Sequence, residues 1–243
     1  MILDKENSIM TVSVPGDGFK NLDRGDASTD QHIHWEQSFT EKPDMFGSEP
    51  SLPARYAAGI FRENEVSRVL ELGGGQGRDT IFFAREGFYV TTLDYSEKGV
   101  IDIKKKAEES GASSRVRTFV QDVRKPLPFD KDCFDACFSH MLFCMDLKIA
   151  ELISLSAEVR RVLRPGGYHV FTVRHTGDPH YRKGVHKGED IYQTGGFAVH
   201  FFSREKVGLL TDGFSMEDLE EFEEGGLPRR LFRVTLRKVQ HAG

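Results

Sequence analysis

Val69-Leu70-Glu71-Leu72-Gly73-Gly74-Gly75-Gln76-Gly77-Arg78-Asp79 decides the fold. A short apolar run meets a cluster of glycines and a helical pattern follows at once. That is the pattern of a buried strand, a tight turn and a helix N-terminus. Glycine permits positive φ and lets ligand atoms come close to the backbone. The free N–H groups of the helix start favour a polar ligand. Asp94, 21 residues beyond Gly73, closes the next apolar run. A carboxylate there can grip the two hydroxyls of a ribose. Dinucleotide loops favour G-x-G-x-x-G. Here Gly73, Gly75 and Gly77 give G-x-G-x-G, and Arg78 stands where the third glycine is wanted.

Outward from this loop the pattern alternates. Helices are expected at 52–62, 78–86, 97–110 and 147–163, and strands at 68–72, 88–93, 116–120, 134–139 and 168–173. Such alternation means βαβ units, an α/β class and a mostly parallel sheet with helices on both faces. A helix at 204–212 then leads to strands at 216–222 and 231–238, which a short connection should pair as an antiparallel hairpin. Residues 1–50 read as a flexible leader, whose half holding Trp35, Phe39, Met45 and Phe46 could be a lid over a pocket or a plug on the domain surface. The domain then spans 51–243, and 176–202 reads as a long irregular insertion over the site.

These residues resemble the class I S-adenosylmethionine-dependent methyltransferases. The resemblance runs from Leu52 to Lys238 and rests on four ordered stretches. They are the glycine loop with Asp94, the run Asp122-Val123-Arg124-Lys125-Pro126-Leu127-Pro128-Phe129-Asp130 before Cys133-Phe134-Asp135, the turn Arg161-Val162-Leu163-Arg164-Pro165-Gly166-Gly167, and the closing hairpin. Gly77-Arg78-Asp79-Thr80 and the aromatic lead-in at Trp35 are similar to the tellurite-resistance and thiopurine methyltransferase branch. The resemblance implies a Rossmann-like, doubly wound, seven-stranded sheet with an antiparallel last strand. It also implies S-adenosylmethionine as cofactor. Glu71 would hold the amino end of the methionine moiety, with Gly73, Gly74, Gly75, Gln76 and Gly77 cradling it. Asp94 would take the ribose and Tyr95 the adenine face. Asp122 and Val123 would reach the adenine edge, and Ser139 would flank the cofactor.

Ligands in open α/β sheets lie beyond the carboxyl ends of the strands. Ser139-His140-Met141-Leu142-Phe143-Cys144 therefore faces the reacting group, and His140 is the candidate base. Its bland alternative is a histidine that caps the strand. No Asp/Asn-Pro-Pro-aromatic signature of the amino-directed DNA enzymes occurs there. His175, His180 and Tyr192, on the same rim, are candidate acceptor-binding residues. His175, His180 and His186 match no standard zinc spacing, so no metal is expected. The acidic run 217–224 reads as a solvated strand edge.

Composition narrows the partners. With 33 basic and 38 acidic residues the net charge is −5, which argues against nucleic acid as partner. Three cysteines, Cys133, Cys137 and Cys144, suit a reducing cytoplasm, and no apolar stretch is long enough for a membrane span. The first 30 residues lack the apolar core of a signal peptide. The reading is a cytoplasmic methyltransferase, monomeric or homodimeric, acting on a small molecule. A protein or tRNA methyltransferase, and a non-catalytic S-adenosylmethionine-binding protein, are the alternatives. A nicotinamide-dependent oxidoreductase is disfavoured by Arg78 and by the absence of Tyr-x-x-x-Lys.

Overall fold

Successive side chains of a strand point to opposite faces of its sheet. In β1 (Arg68–Leu72), Val69 joins one apolar cluster while Leu70 and Leu72 join another. The same division recurs in β4 (Phe134–Ser139), with Ala136 and Phe138 on one side and Cys137 on the other. The central strands are thus buried on both faces, which is why they read as continuous apolar runs.

The computed structural model describes residues 27–225 and 229–240. One face carries α2 (Leu52–Glu63) and α3 (Arg78–Arg85), whose Ala57, Phe61 and Phe83 pack with Val69 and Phe138. The other carries α5 (Ile149–Val162) and the short α6 (Arg204–Gly208), through Leu152, Val159 and Val207. Helix α4 (Glu97–Glu109) follows β2 (Tyr89–Asp94) and leads to β3 (Val116–Val120). Ser51 caps α2 and Ser96 caps α4, each accepting from an amide three residues on.

The seven-stranded sheet has the order β3-β2-β1-β4-β5-β10-β9, with β5 at Leu163–Arg174, β9 at Phe214–Glu224 and β10 at Arg229–Lys238. Strands β1 to β5 pair in parallel, and β10 runs antiparallel between β5 and β9. The expected hairpin forms, and its second strand is the one inserted into the sheet. The order reverses between β1 and β4, so a crevice opens where the loops after those two strands diverge.

Two segments differ from the sequence expectation. Residues 1–26 of the leader lie outside the described residues, but Ala27–Glu41 form a helix, α1. The stretch read as irregular contains an antiparallel meander of β6 (Val185–Gly188), β7 (Ile191–Thr194) and β8 (Phe197–His200). The two elements meet. Gln31 donates to the Gly196 carbonyl at 2.7 Å and accepts from Ala198 at 3.2 Å, and Trp35 packs edge-on against Phe197 at 4.9 Å.

Candidate active site

A cavity of about 490 Å³ lies at the crevice, within the usual size of a small-ligand site. The turn after β1 forms its floor. Gly73 and Gly75 take φ of 74° and 55°, a region that disfavours any side chain. A Cβ on Gly74 would sit 2.2 Å from Thr92 Oγ1, so the turn presses directly on β2. The Gly75 amide donates to Asp94 Oδ2 at 2.7 Å and the Ser96 amide to Oδ1 at 2.9 Å. Asp94 is thus aimed by two backbone bonds at the end of its strand, and burial raises its carboxyl above the ordinary value.

Glu71 is buried at the end of β1 and accepts from the Thr80 hydroxyl of α3. Burial, helped by nearby Asp79, pushes its carboxyl up to about 8. The folded value lies above the unfolded one near 4.5, so the native state holds the extra proton. This stabilises the fold fully below the unfolded value and is lost as pH rises through about 8. Glu71→Gln is therefore expected to flatten this dependence and to raise the melting temperature of the free protein at pH 8.5. Relief of about 1–2 kcal/mol corresponds to roughly 4 °C for a chain of this size. Thermal melts from pH 5 to 9 check it, and equal slopes for variant and parent would refute it.

Other expected residues also line the cavity: Tyr95, Asp122, Val123, His140, His180 and Tyr192. Burial raises the Tyr95 phenol. Burial alone would raise Asp122 too, but the Arg124 guanidinium overcomes it and lowers the carboxyl, donating at 2.9 Å from Nε and 2.7 Å from Nη2. Gln76 borders the cavity but is spent on the N-terminal segment. Its amide donates to the carbonyls of Phe39 and Lys42 and accepts from the Met45 amide at 2.9 Å.

Three expected residues lie elsewhere. Gly77 begins α3 at φ 86°, and a Cβ there would come 2.9 Å from Ile103, so it serves the packing of α3 on α4. Ser139 is fully buried in β4 and does not reach the cavity wall. His175 is buried against Phe232 at 4.7 Å and accepts from the Gly177 amide. None of the three forms part of the cavity wall. His200 is likewise committed, to the Leu147 carbonyl and Lys206. Among the described residues no three His, Cys, Asp or Glu side chains converge as metal donors. Burial holds Cys144 at about 11 and Cys137 well above the ordinary thiol value, so neither is a thiolate near neutral pH.

Sequence reasoning missed two groups. Arg174, at the end of β5, lines the cavity and makes a bidentate pair with the fully buried Asp178 at 3.0 and 2.5 Å. Glu224, at the end of β9, also lines it and accepts from His140 Nε2 at 3.1 Å. Its acidic neighbours are not merely solvated, since Glu221, Glu223 and Asp218 pair with Arg204, Arg230 and Arg233. The aromatic residues before α2 line the cavity. Phe39 and Phe46 would stand 3.6 and 3.8 Å from a Cβ on Gly75.

Residues 69–167 match a family model described as a methyltransferase domain. A fatty-acid O-methyltransferase of Mycolicibacterium smegmatis is 33% identical over 114 residues, covering 44% of this chain and 37% of that protein. The chain spans less than half the length of the curated relatives it matches. Among solved structures, a 1,6-didemethyltoxoflavin-N1-methyltransferase of Burkholderia thailandensis superposes with TM-score 0.69 at 20% identity, covering 93% of this chain and 94% of that one. TehB of Haemophilus influenzae gives TM-score 0.62 at 18% identity, covering 84% and 67%. At such identities the likeness is one of fold.

Proposed function

We propose that this chain, whose residues 69–167 match the methyltransferase-domain model, is an S-adenosylmethionine-dependent methyltransferase for a small-molecule acceptor. The observation that carries the reading is the joint aim of the glycine turn and the Asp94 carboxylate into one cavity at the strand-order reversal. The donor set suits the cofactor. Asp94 keeps lone pairs beyond those its two amides use, for a ribose diol. Glu71 is a buried acid that can take an ammonium group, and the turn leaves no room for side chains of its own. A dinucleotide suits the site less well, because Phe39 and Phe46 stand over Gly75 where a pyrophosphate would approach the turn.

When bound, the cofactor supplies a methyl group on a sulfonium. The chain's own contribution is mainly positioning, which can supply much of the rate in a displacement of this kind. Helix α1 and the meander close the cavity from above through Gln31, Trp35 and Phe197. Such a cover excludes water and leaves little space for a polymer. Met141, Leu142, Tyr192, Phe197 and Phe201 give the acceptor side an apolar wall.

The test is transfer of a labelled methyl group from S-adenosylmethionine to a panel of small thiols, amines, phenols and carboxylates, beside calorimetric titration with S-adenosylhomocysteine and NAD. Micromolar binding of the sulfur cofactor and turnover of a small molecule are expected. Binding of NAD instead, or labelling of protein or RNA with no small molecule turned over, would reject the reading.

A further inference from the structure

On the reading that this cavity is a methyl-transfer site, we infer that Glu224 is its proton acceptor and that the acceptor molecule is a neutral or cationic N–H or O–H nucleophile. His140, the residue the sequence points to, has no nitrogen to spare. Its Nδ1 lies 2.9 Å from Thr172 Oγ1 and its Nε2 lies 3.1 Å from Glu224 Oε2.

The direction of these bonds follows from the donors available. A carboxylate only accepts, so His140 Nε2 carries the proton and donates to Glu224. In the neutral ring Nδ1 then accepts from the Thr172 hydroxyl. The Met141 amide donates to a lone pair of Thr172 Oγ1 at 2.9 Å, which leaves the hydroxyl hydrogen for His140 Nδ1. The chain Met141 N–H, Thr172 O–H, His140 N–H, Glu224 holds one tautomer and stops at a carboxylate on the cavity wall. Thr172 is fully buried, so proton traffic with the cavity passes through Glu224. Its second oxygen, Oε1, makes no hydrogen bond among the described residues. Burial raises Glu224, but the hydrogen bond from His140 and the charges of Arg78 and Arg229 outweigh it and hold the carboxyl below its ordinary value. It is therefore ionised at neutral pH.

A carboxylate at this place also selects the acceptor. It repels an acceptor that arrives as an anion and attracts one that carries a proton to lose. The guanidiniums of Arg78, Arg124 and Arg174 are engaged with Asp79, Asp122 and Asp178, and Arg229, which also lines the cavity, is paired with Glu224 across the strands and lies close enough to lower its carboxyl. A cationic amine first gives a proton to Glu224, which frees its lone pair; in the step itself, the lone pair of the neutral acceptor nitrogen or oxygen forms the new bond to carbon. The electron pair of the broken carbon–sulfur bond stays on sulfur. The proton of the nucleophile passes to Glu224 Oε1 and leaves to water. His140 and Thr172 are positioning residues.

The experiment compares the full chain with Glu224→Gln, Glu224→Asp and Thr172→Val. The probes are tyramine, tryptamine and 4-methylcatechol, set against laurate and malonate, with S-adenosylhomocysteine binding as the control for a folded site. Turnover is expected with an amine or phenol probe. Glu224→Gln should then lower kcat about 100-fold, the lower range for loss of a general base, with KM for a cationic amine raised and S-adenosylhomocysteine affinity within twofold. Glu224→Asp should restore part of it. The parent's kcat should show no limb near pH 6.5, where a histidine base would titrate. Nitrogen NMR should find the His140 proton on Nε2, and Thr172→Val should release that tautomer. Turnover of laurate or malonate only, no turnover by a protein that binds S-adenosylhomocysteine, a proton on Nδ1, or a Glu224→Gln enzyme with more than a tenth of the parent's kcat would each overturn the inference. Failure of the parent to bind S-adenosylhomocysteine would instead remove the methyltransferase reading, and the inference with it.

Discussion

Asp94→Ala is expected to weaken S-adenosylhomocysteine binding at least 100-fold in calorimetry. A carboxylate that takes two ribose hydroxyls makes two charge-assisted hydrogen bonds, each contributing about 1.5–3 kcal/mol. Their joint loss is roughly 3–6 kcal/mol, where about 1.4 kcal/mol is a tenfold change. Asp94 has a second task, since it holds the Gly75 and Ser96 amides and so fixes both the glycine turn and the start of α4. Asp94→Asn keeps one acceptor oxygen but sets a donor against the second of these two amides. It is expected to lower the melting temperature and to reduce affinity tenfold or more, with less loss of both than Asp94→Ala. Unchanged affinity in both variants would place the ribose elsewhere.

The second large effect concerns stability. Arg174→Met should destabilise the fold by about 3–5 kcal/mol, the usual cost of stranding one partner of a buried ion pair. Asp178 is fully buried and accepts two bonds from Arg174, with the amides of His180 and Arg230 supplying others at 2.7 and 2.8 Å. Without the guanidinium the two amides and the His180 ring are left to hold its charge. At roughly 2–4 °C per kcal/mol for this chain length, the melting temperature should fall by about 6–20 °C. The double variant Arg174→Met/Asp178→Leu removes both charges and should melt higher than Arg174→Met alone. A single variant as stable as the parent, or a double variant less stable than the single, would show that the pair does not act as described. Burial raises Asp178, but Arg174 outweighs this and lowers its carboxyl, so the pair's contribution is present at neutral pH and is lost on acidification.

The strand, turn and helix from Arg68 to Arg85 were legible because each step is local: apolar residues, then glycines, then helical spacing. Asp94 was legible for the same reason, as the last residue of a strand. What escaped depends on partners far along the chain. Helix α1 has no clear apolar stripe, and its hold on the domain includes the Gln31 contact with Gly196, 165 residues away. The meander strands are four residues each, too short for alternation to stand out against the glycines between them. The Glu224 bond to His140 spans 84 residues, so the acidic end of β9 read as an ordinary solvated edge. Gly77, His175 and Ser139 are the opposite case. Their residue types suit a site, but Ile103, Phe232 and the centre of the sheet claim them.

The most direct measurement is a crystal structure of the chain with S-adenosylhomocysteine. The expected result puts the ribose hydroxyls about 3 Å from the Asp94 carboxylate. The amino end should lie at Glu71, and the sulfur should face Glu224 and His140 under the cover of Trp35 and Phe197. Density for the ligand away from the glycine turn, or a ribose that does not touch Asp94, would contradict the account.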